Sequence, residues 1–228
     1  MEILNKIKGK IIVSSQAMPN EPLYEEECMK AIMASVINGG ASALRVAGIR
    51  DVKNAKAFNV PVIGLTKPEK LPDNWLDIVY ITPTIKEVNE LIEAGADIIA
   101  FDGTLRPRPQ QCTLKDIINQ IHKSNRLAMA DVSSLKEGIK CAELEADILS
   151  TTLSGYTTET YTNSNRPDFE LLKNLISNTD KPVILEGRIW EPSDVTKAFD
   201  IGAHSVVIGS AITRPQLITK RFVDSIKR

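Results

Sequence analysis

Short apolar runs without polar interruption recur along the chain, near residues 12, 44, 63, 99, 129, 149, 184 and 207. Uninterrupted runs of this kind predict parallel strands covered on both faces, since half-exposed strands alternate apolar and polar positions. The segments between them carry helical periodicity, as at Val88, Leu91 and Ile92 and at Ile117, Ile118 and Ile121. Three of these segments open with the spacing of a capping box, in which a side chain and a later Glu or Gln satisfy free N–H groups. They are Thr84 with Glu87, Ser134 with Glu137, and Thr213 with Gln216.

The pattern echoes itself. Gly40-Ala41-Ser42-Ala43-Leu44, Gly95-Ala96-Asp97-Ile98-Ile99, Glu145-Ala146-Asp147-Ile148-Leu149 and Gly202-Ala203-His204-Ser205-Val206 each read as a helix C-terminus, a turn and a short strand. Pro61-Val62-Ile63 and Pro182-Val183-Ile184 form a second echo, with proline at a strand's first residue, where its missing N–H is tolerated. Eight strands alternating with helices in 228 residues predict an α/β chain forming a single (β/α)8 TIM barrel over 1–228. Periodicity does not show closure, so a doubly wound open sheet is the alternative.

In such barrels the chemistry sits at the C-terminal ends of the strands. Those ends carry Ser14, Ser15 and Gln16, then Arg45, Lys67, Asp102, Asp131, Thr151 with Thr152, Glu186, and Gly209-Ser210. Several charged groups therefore converge on one mouth, and burying them elsewhere without partners would be costly. The loops Gly187-Arg188 and Gly209-Ser210-Ala211 follow the seventh and eighth strands, where barrels often hold phosphate on backbone N–H groups. Arg214 stands just beyond and adds a charged donor; bare turns are the other reading of the glycines.

Composition narrows the classes. The net charge is −1, and the densest basic cluster is Lys220, Arg221, Lys227 and Arg228 at the end of the last helix, so nucleic acid is not an expected partner. No stretch of 18 apolar residues and no leader-like segment is present, which excludes a membrane-spanning helix and points to the cytoplasm. Cys28, Cys112 and Cys141 are odd in number and have no metal-ligand spacing; His122 and His204 fall away from the strand ends. No metal and no cofactor is expected.

Gln16-Ala17, Tyr80-Ile81-Thr82-Pro83-Thr84, Arg106-Pro107-Arg108-Pro109, Thr151-Thr152-Leu153-Ser154-Gly155-Tyr156-Thr157, Glu186-Gly187-Arg188-Ile189 and Gly209-Ser210-Ala211-Ile212-Thr213-Arg214-Pro215 occur in that order. Together they resemble the bacterial N-acetylmannosamine-6-phosphate 2-epimerases, over nearly the whole chain. The resemblance implies a ribulose-phosphate-binding type of barrel and a role in sialic acid breakdown. It also implies a dimer, a sugar-phosphate substrate, and conversion of N-acetylmannosamine 6-phosphate to N-acetylglucosamine 6-phosphate. Lys67 and Glu186 match the family's catalytic lysine and glutamate. Gln16, Arg45, Asp131 and Thr152 fall on substrate-binding positions, and Gly187, Arg188, Gly209, Ser210 and Arg214 on the phosphate side. Pro68 after Lys67, the segment 68–77, Val46-Ala47 and Trp190-Glu191 depart from the family pattern.

The implied chemistry is proton transfer at carbon 2, made acidic by an open-chain aldehyde at carbon 1. It needs a base, an acid and something to stabilise the oxyanion. Lysine at its reference pKa of roughly 10.4 is a poor base, so Lys67 needs cations or desolvation around it. Plainer readings stand beside each assignment. Lys67 alone is a solvated loop lysine, Arg45 and Asp131 form a structural bridge, Asp102 caps its own loop, and 156–166 is a mobile polar loop. At the level of function, a lysine and a glutamate also serve class I aldolases, through a Schiff base. A non-catalytic sugar-phosphate binder is the remaining rival.

Overall fold

The computed structural model describes residues 2–226; Lys227 and Arg228 of the basic cluster lie outside them. All eight strands are present: β1 (Ile11–Ser15), β2 (Ala43–Ala47), β3 (Val62–Leu65), β4 (Ile98–Asp102), β5 (Leu127–Asp131), β6 (Ile148–Ser150), β7 (Val183–Glu186) and β8 (Ser205–Ile208). They pair in sequence order, all parallel, and β1 also pairs with β8, so the sheet closes into a barrel. Closure excludes the open sheet.

The crossovers are helical. α1 (Glu2–Ile7) precedes β1, and α2 (Glu26–Asn38), α3 (Ile49–Ala55), α4 (Ile85–Glu93), α5 (Leu114–Lys123), α6 (Leu135–Glu143), α7 (Phe169–Asn178) and α8 (Pro192–Ile201) follow β1 to β7 in turn. A short α9 (Ser210–Thr213) and then α10 (Pro215–Ser225) follow β8. No helix among the described residues is long and apolar enough to cross a membrane.

The sequence echoes correspond to one recurrent turn. After α2, α4, α6 and α8 the chain passes through positive φ at Gly40, Gly95, Glu145 and Gly202. The next N–H then reaches back to close the helix, as Ala41 to Val36, Ala96 to Leu91, Ala146 to Cys141 and Ala203 to Ala198. That is the Schellman arrangement, which favours glycine because other residues meet steric cost at positive φ. Glu145 takes the same conformation without being glycine. Two of the three expected capping boxes form, at Thr84 and Ser134, and Thr113 with Asp116 makes another. The box expected at Thr213 does not: Thr213 ends α9, its hydroxyl donates to the Ser14 carbonyl at 2.8 Å, and α10 starts with Pro215 instead.

Strand parity divides the core in two. One set, including Leu44, Val46, Ile99, Phe101 and Leu185, packs outward against the helices. The other, including Ile12, Ile63, Ile98, Met129, Ile184 and Val207, fills the barrel interior, with Ile7 of α1 closing the bottom. Each such buried aliphatic side chain stabilises the fold by roughly 1.5–3 kcal/mol. On β3, Gly64 permits close packing: a Cβ there would lie 2.9 Å from that of Ala96 and 3.0 Å from Val52. Because side chains alternate every residue, the inward set that begins with Ile12, Ala43, Ile98 and Met129 continues upward as Ser14, Arg45, Asp102 and Asp131. The barrel's top layer is therefore polar.

Candidate active site

That layer opens into a cleft of about 750 Å³ lined by Ser14, Gln16, Arg45, Lys67, Thr152, Glu186, Gly187, Arg188, Gly209, Ser210 and Arg214, among others. Of the residues assigned from the resemblance to catalysis, substrate or phosphate, only Asp131 is absent from this lining; Ser15, Asp102 and Thr151 at the strand ends are absent as well. Asp131 is fully buried and bonds Arg45 and Thr152, which do line the cleft.

Arg45 is the hub. Its Nη2 donates to Asp131 Oδ2 at 2.6 Å, and its Nε lies 3.2 Å from Glu186 Oε2 without the alignment of a hydrogen bond. Burial would lower the Arg45 pKa, but Asp131 and Glu186 more than offset this and raise it. Thr152 Oγ1 lies 2.9 Å from Asp131 Oδ1 and 2.9 Å from Glu186 Oε2. The neighbouring Thr151 fixes the backbone of the glutamate. Its hydroxyl donates to the Glu186 carbonyl at 2.9 Å and accepts from the Glu186 N–H at 3.1 Å. Opposite, Lys67 Nζ donates to Gln16 Oε1 at 2.9 Å, and Gln16 Nε2 donates to Ser14 Oγ at 3.0 Å.

The electrostatics move the two reactive candidates toward neutrality. Burial pushes the Glu186 carboxyl up; Arg45 opposes the shift and Asp131 adds to it. Lys67 is pulled below an ordinary lysine, first by desolvation and then by Arg45, with Glu186 and Asp131 opposing. The Lys67 side chain still meets solvent in the open cleft.

The side of the cleft expected to hold the phosphate is built from the loops after β7 and β8. Gly187 turns at φ 108° and Arg188 at φ 56°, and Gly209 precedes the first turn of α9. Arg188 donates to the carbonyls of Ser154 and Arg166, at 2.5 and 2.8 Å, and so clamps the loop after β6. Arg214 pairs with Glu21 from the loop after β1, while its buried Nε–H has no hydrogen-bond partner. Nothing in the sequence linked Glu21 to this mouth, because it lies beyond the strand end that parity reads.

Of the departures from the family pattern, Val46 packs outward against the helices, whereas the segment 68–77 and Trp190 wall the cleft. Leu71 and Trp75 line it, and Trp75 meets Tyr156 with ring centroids 6.4 Å apart. Thr158 ties 156–166 to this segment, through Leu76 O at 3.2 Å and Asp77 Oδ1 at 2.5 Å, so the polar loop is anchored at that point. Trp190 lies under the Arg221 guanidinium, and Glu191 pairs with the same arginine at 2.6 Å. Asp102 does what its plainer reading expects, capping its own loop through Thr104 and Arg106. His122 bonds Asp147 and His204 the Leu4 carbonyl, away from the mouth. The three cysteines are free, Cys141 buried with its thiol pushed up to about 12.

A family model described as "Putative N-acetylmannosamine-6-phosphate epimerase" (NanE) matches residues 29–228. A protein of Clostridium perfringens strain SM101 bearing the corresponding 2-epimerase name is 47% identical, covering 99% of this chain and 100% of its own. The namesake of Clostridioides difficile strain 630 is 45% identical, over 99% of each. A solved structure of the N-acetylmannosamine-6-phosphate 2-epimerase from Clostridium perfringens superposes with a TM-score of 0.92 at 46% identity, covering 98% of this chain and 96% of that one. 3-Hexulose-6-phosphate synthase from Salmonella typhimurium, with a TM-score of 0.62 at 17% identity over 90% of each chain, shares the fold alone. With a family match over most of its length and relatives this similar from end to end, the chain belongs to the N-acetylmannosamine-6-phosphate epimerase family.

Proposed function

We propose that this protein interconverts N-acetylmannosamine 6-phosphate and N-acetylglucosamine 6-phosphate by moving a proton at carbon 2. The observation that carries the reading is the meeting, in one cleft, of a lysine made easier to deprotonate and a glutamate made harder to ionise. A two-base epimerisation uses such a pair: a neutral amine to accept the carbon-bound proton and a carboxylic acid to return one on the opposite face. In the open-chain sugar, Lys67 takes the proton from carbon 2 and the bonding electrons move onto the aldehyde oxygen. Glu186 then delivers its proton to the other face, and the aldehyde re-forms. Arg45, positively charged and with an Nε–H lacking an aligned partner, is available to the developing oxyanion.

The phosphate is assigned to Gly187, Gly209, Ser210 and Arg214, whose free Nε–H offers a charge-assisted donor. Arg188 belongs with them, and its bonds to Ser154 and Arg166 hold the adjoining wall. Gln16 orients Lys67, and Asp131 orients Arg45. The same reading has the chain acting as one domain over 1–228, in the cytoplasm, as a homodimer. Support for self-association is the apolar surface at the end of the chain, where Phe222 is 72% and Val223 47% exposed on a helix with no buried residue.

Incubating the purified protein with N-acetylmannosamine 6-phosphate and following the sugar by NMR tests the activity. Appearance of N-acetylglucosamine 6-phosphate is expected. Borohydride added during turnover should leave Lys67 unmodified; a reduced covalent adduct would mark Schiff-base chemistry instead.

A further inference from the structure

Thr152 Oγ1 has three oxygens within hydrogen-bond distance: Ser150 Oγ at 2.8 Å, Asp131 Oδ1 at 2.9 Å and Glu186 Oε2 at 2.9 Å. A hydroxyl has one hydrogen to give and two lone pairs to receive with. Ser150 is fully buried, and its hydroxyl is bonded to no other atom among the described residues. If Ser150 accepted from Thr152, that single hydrogen would be used, and both carboxyl oxygens would face a bare lone pair. Ser150 therefore donates, which fills one lone pair of Thr152.

One hydrogen and one lone pair remain for two carboxyl groups. One acid receives the hydrogen; the other must donate, and to donate it must be protonated. Asp131 is the charged one, since its other oxygen is 2.6 Å from Arg45 Nη2 and both side chains are almost completely buried. Glu186 has only the unaligned Arg45 Nε at 3.2 Å to favour its charge. Besides Thr152, the groups facing Glu186 are Arg45 from β2, Lys67 beyond β3 and Asp131 from β5.

We infer that Thr152 is a positioning residue that donates to Asp131 and accepts from Glu186, fixing Glu186 as the proton-bearing acid of the resting enzyme. The inference rests on the reading of Glu186 as a proton-transfer group and changes the role of Thr152 from a substrate contact to a selector of protonation state. It also accounts for the second half of the reaction. When the Glu186 proton leaves for carbon 2, Glu186 becomes a carboxylate. Rotation about the Thr152 Cβ–Oγ1 bond turns the same hydrogen from Asp131 to Glu186, while Asp131 keeps Arg45. The proton taken from carbon 2 resides on Lys67 and returns to Glu186 through solvent in the open cleft, which resets the pair. Burial of the glutamate works in the same direction as this geometry.

Infrared difference spectroscopy of the resting protein at neutral pH tests the inference without turnover. A carbonyl-stretch band of a protonated carboxyl is expected in the wild type, absent from Glu186→Gln and shifted in frequency in Thr152→Val, which removes the hydroxyl at constant shape. Kinetically, Thr152→Val should lower kcat by roughly ten- to a hundredfold, the scale of one hydrogen bond to a charged group. KM should stay nearly unchanged, and Thr152→Ser should restore most of the rate. Absence from the wild type of any band that Glu186→Gln removes would overturn the inference, as would a Thr152→Val protein with wild-type kcat or with its whole defect in KM. If Glu186→Gln itself retains full turnover, the catalytic reading of Glu186 has failed; if it is inactive while the band is missing, only the role of Thr152 has.

Discussion

Asp102 and Asp131 are neighbours across a strand pair, directly opposite each other in register at the tops of β4 and β5. Both are fully buried and both pair with an arginine. Asp102 is nevertheless closed on itself. Its oxygens go to the N–H and hydroxyl of Thr104, to Arg106 and, at 4.0 Å, to Arg108, all within six residues. Asp131 is connected outward, to Arg45 and Thr152, and through them to Glu186. The same residue type at the same height in the same barrel is thus a loop cap in one case and part of the network that reaches the cleft in the other. What separates them is whether the partner's own partners line the cleft.

The sharpest way to break that contrast is to remove the network's reactive ends. Lys67→Ala and Glu186→Gln should each lower kcat by roughly 10²–10⁴-fold while circular dichroism shows an intact barrel. Because both groups serve one proton transfer, the double variant should be little worse than either single one. A loss smaller than about tenfold in Lys67→Ala would remove it as the base.

Next come the two aspartates. Asp131→Ala leaves the Arg45 guanidinium buried without its partner, a change expected to cost roughly 3–5 kcal/mol and to displace Arg45 from the cleft. Both melting temperature and kcat should fall. Asp102→Asn should lower the melting temperature as well, because Arg106 loses its ion pair, but kcat of the folded protein should stay near wild type. Equal kcat losses in both would erase the distinction.

On the phosphate side, Arg214→Ala should raise KM by the equivalent of about 1.5–3 kcal/mol, with kcat less affected. Glu21→Gln, which releases Arg214 from its ion pair, should not raise KM.

The smallest effect is on stability against pH. The folded-state pKa of Glu186 is raised. Its contribution is therefore complete below the ordinary glutamate value of roughly 4.3 and is lost as pH rises through the folded value. Glu186→Gln has no such loss. Its melting temperature should match the wild type below the ordinary value, exceed it increasingly up to the folded value and keep a constant lead above it, with a slope of about 1.4 kcal/mol per pH unit at most.

How much of this was legible follows from where each residue stands. Strands and their order were readable because each is a continuous apolar run, and the turns because a Schellman cap favours glycine. Arg45, Asp131 and Glu186 were readable because strand parity and position suffice to put them inward at the mouth. Thr152 was placed at the mouth, but its surroundings were not, since a hydroxyl's role depends on which oxygens surround it, and Asp131 and Glu186 come from separate stretches of chain. Glu21 and the Trp75 wall were invisible for the same reason. They reach the cleft from loops whose paths no periodicity describes.

The central claim is proton exchange at carbon 2 by Lys67 and Glu186, and running the reaction in heavy water tests it directly. Deuterium at carbon 2 of N-acetylglucosamine 6-phosphate is predicted, seen by NMR as loss of that proton's signal, with labelled product formed by Glu186→Gln only at its residual rate. Product formed with its original hydrogen still at carbon 2, in the absence of internal return, would contradict it.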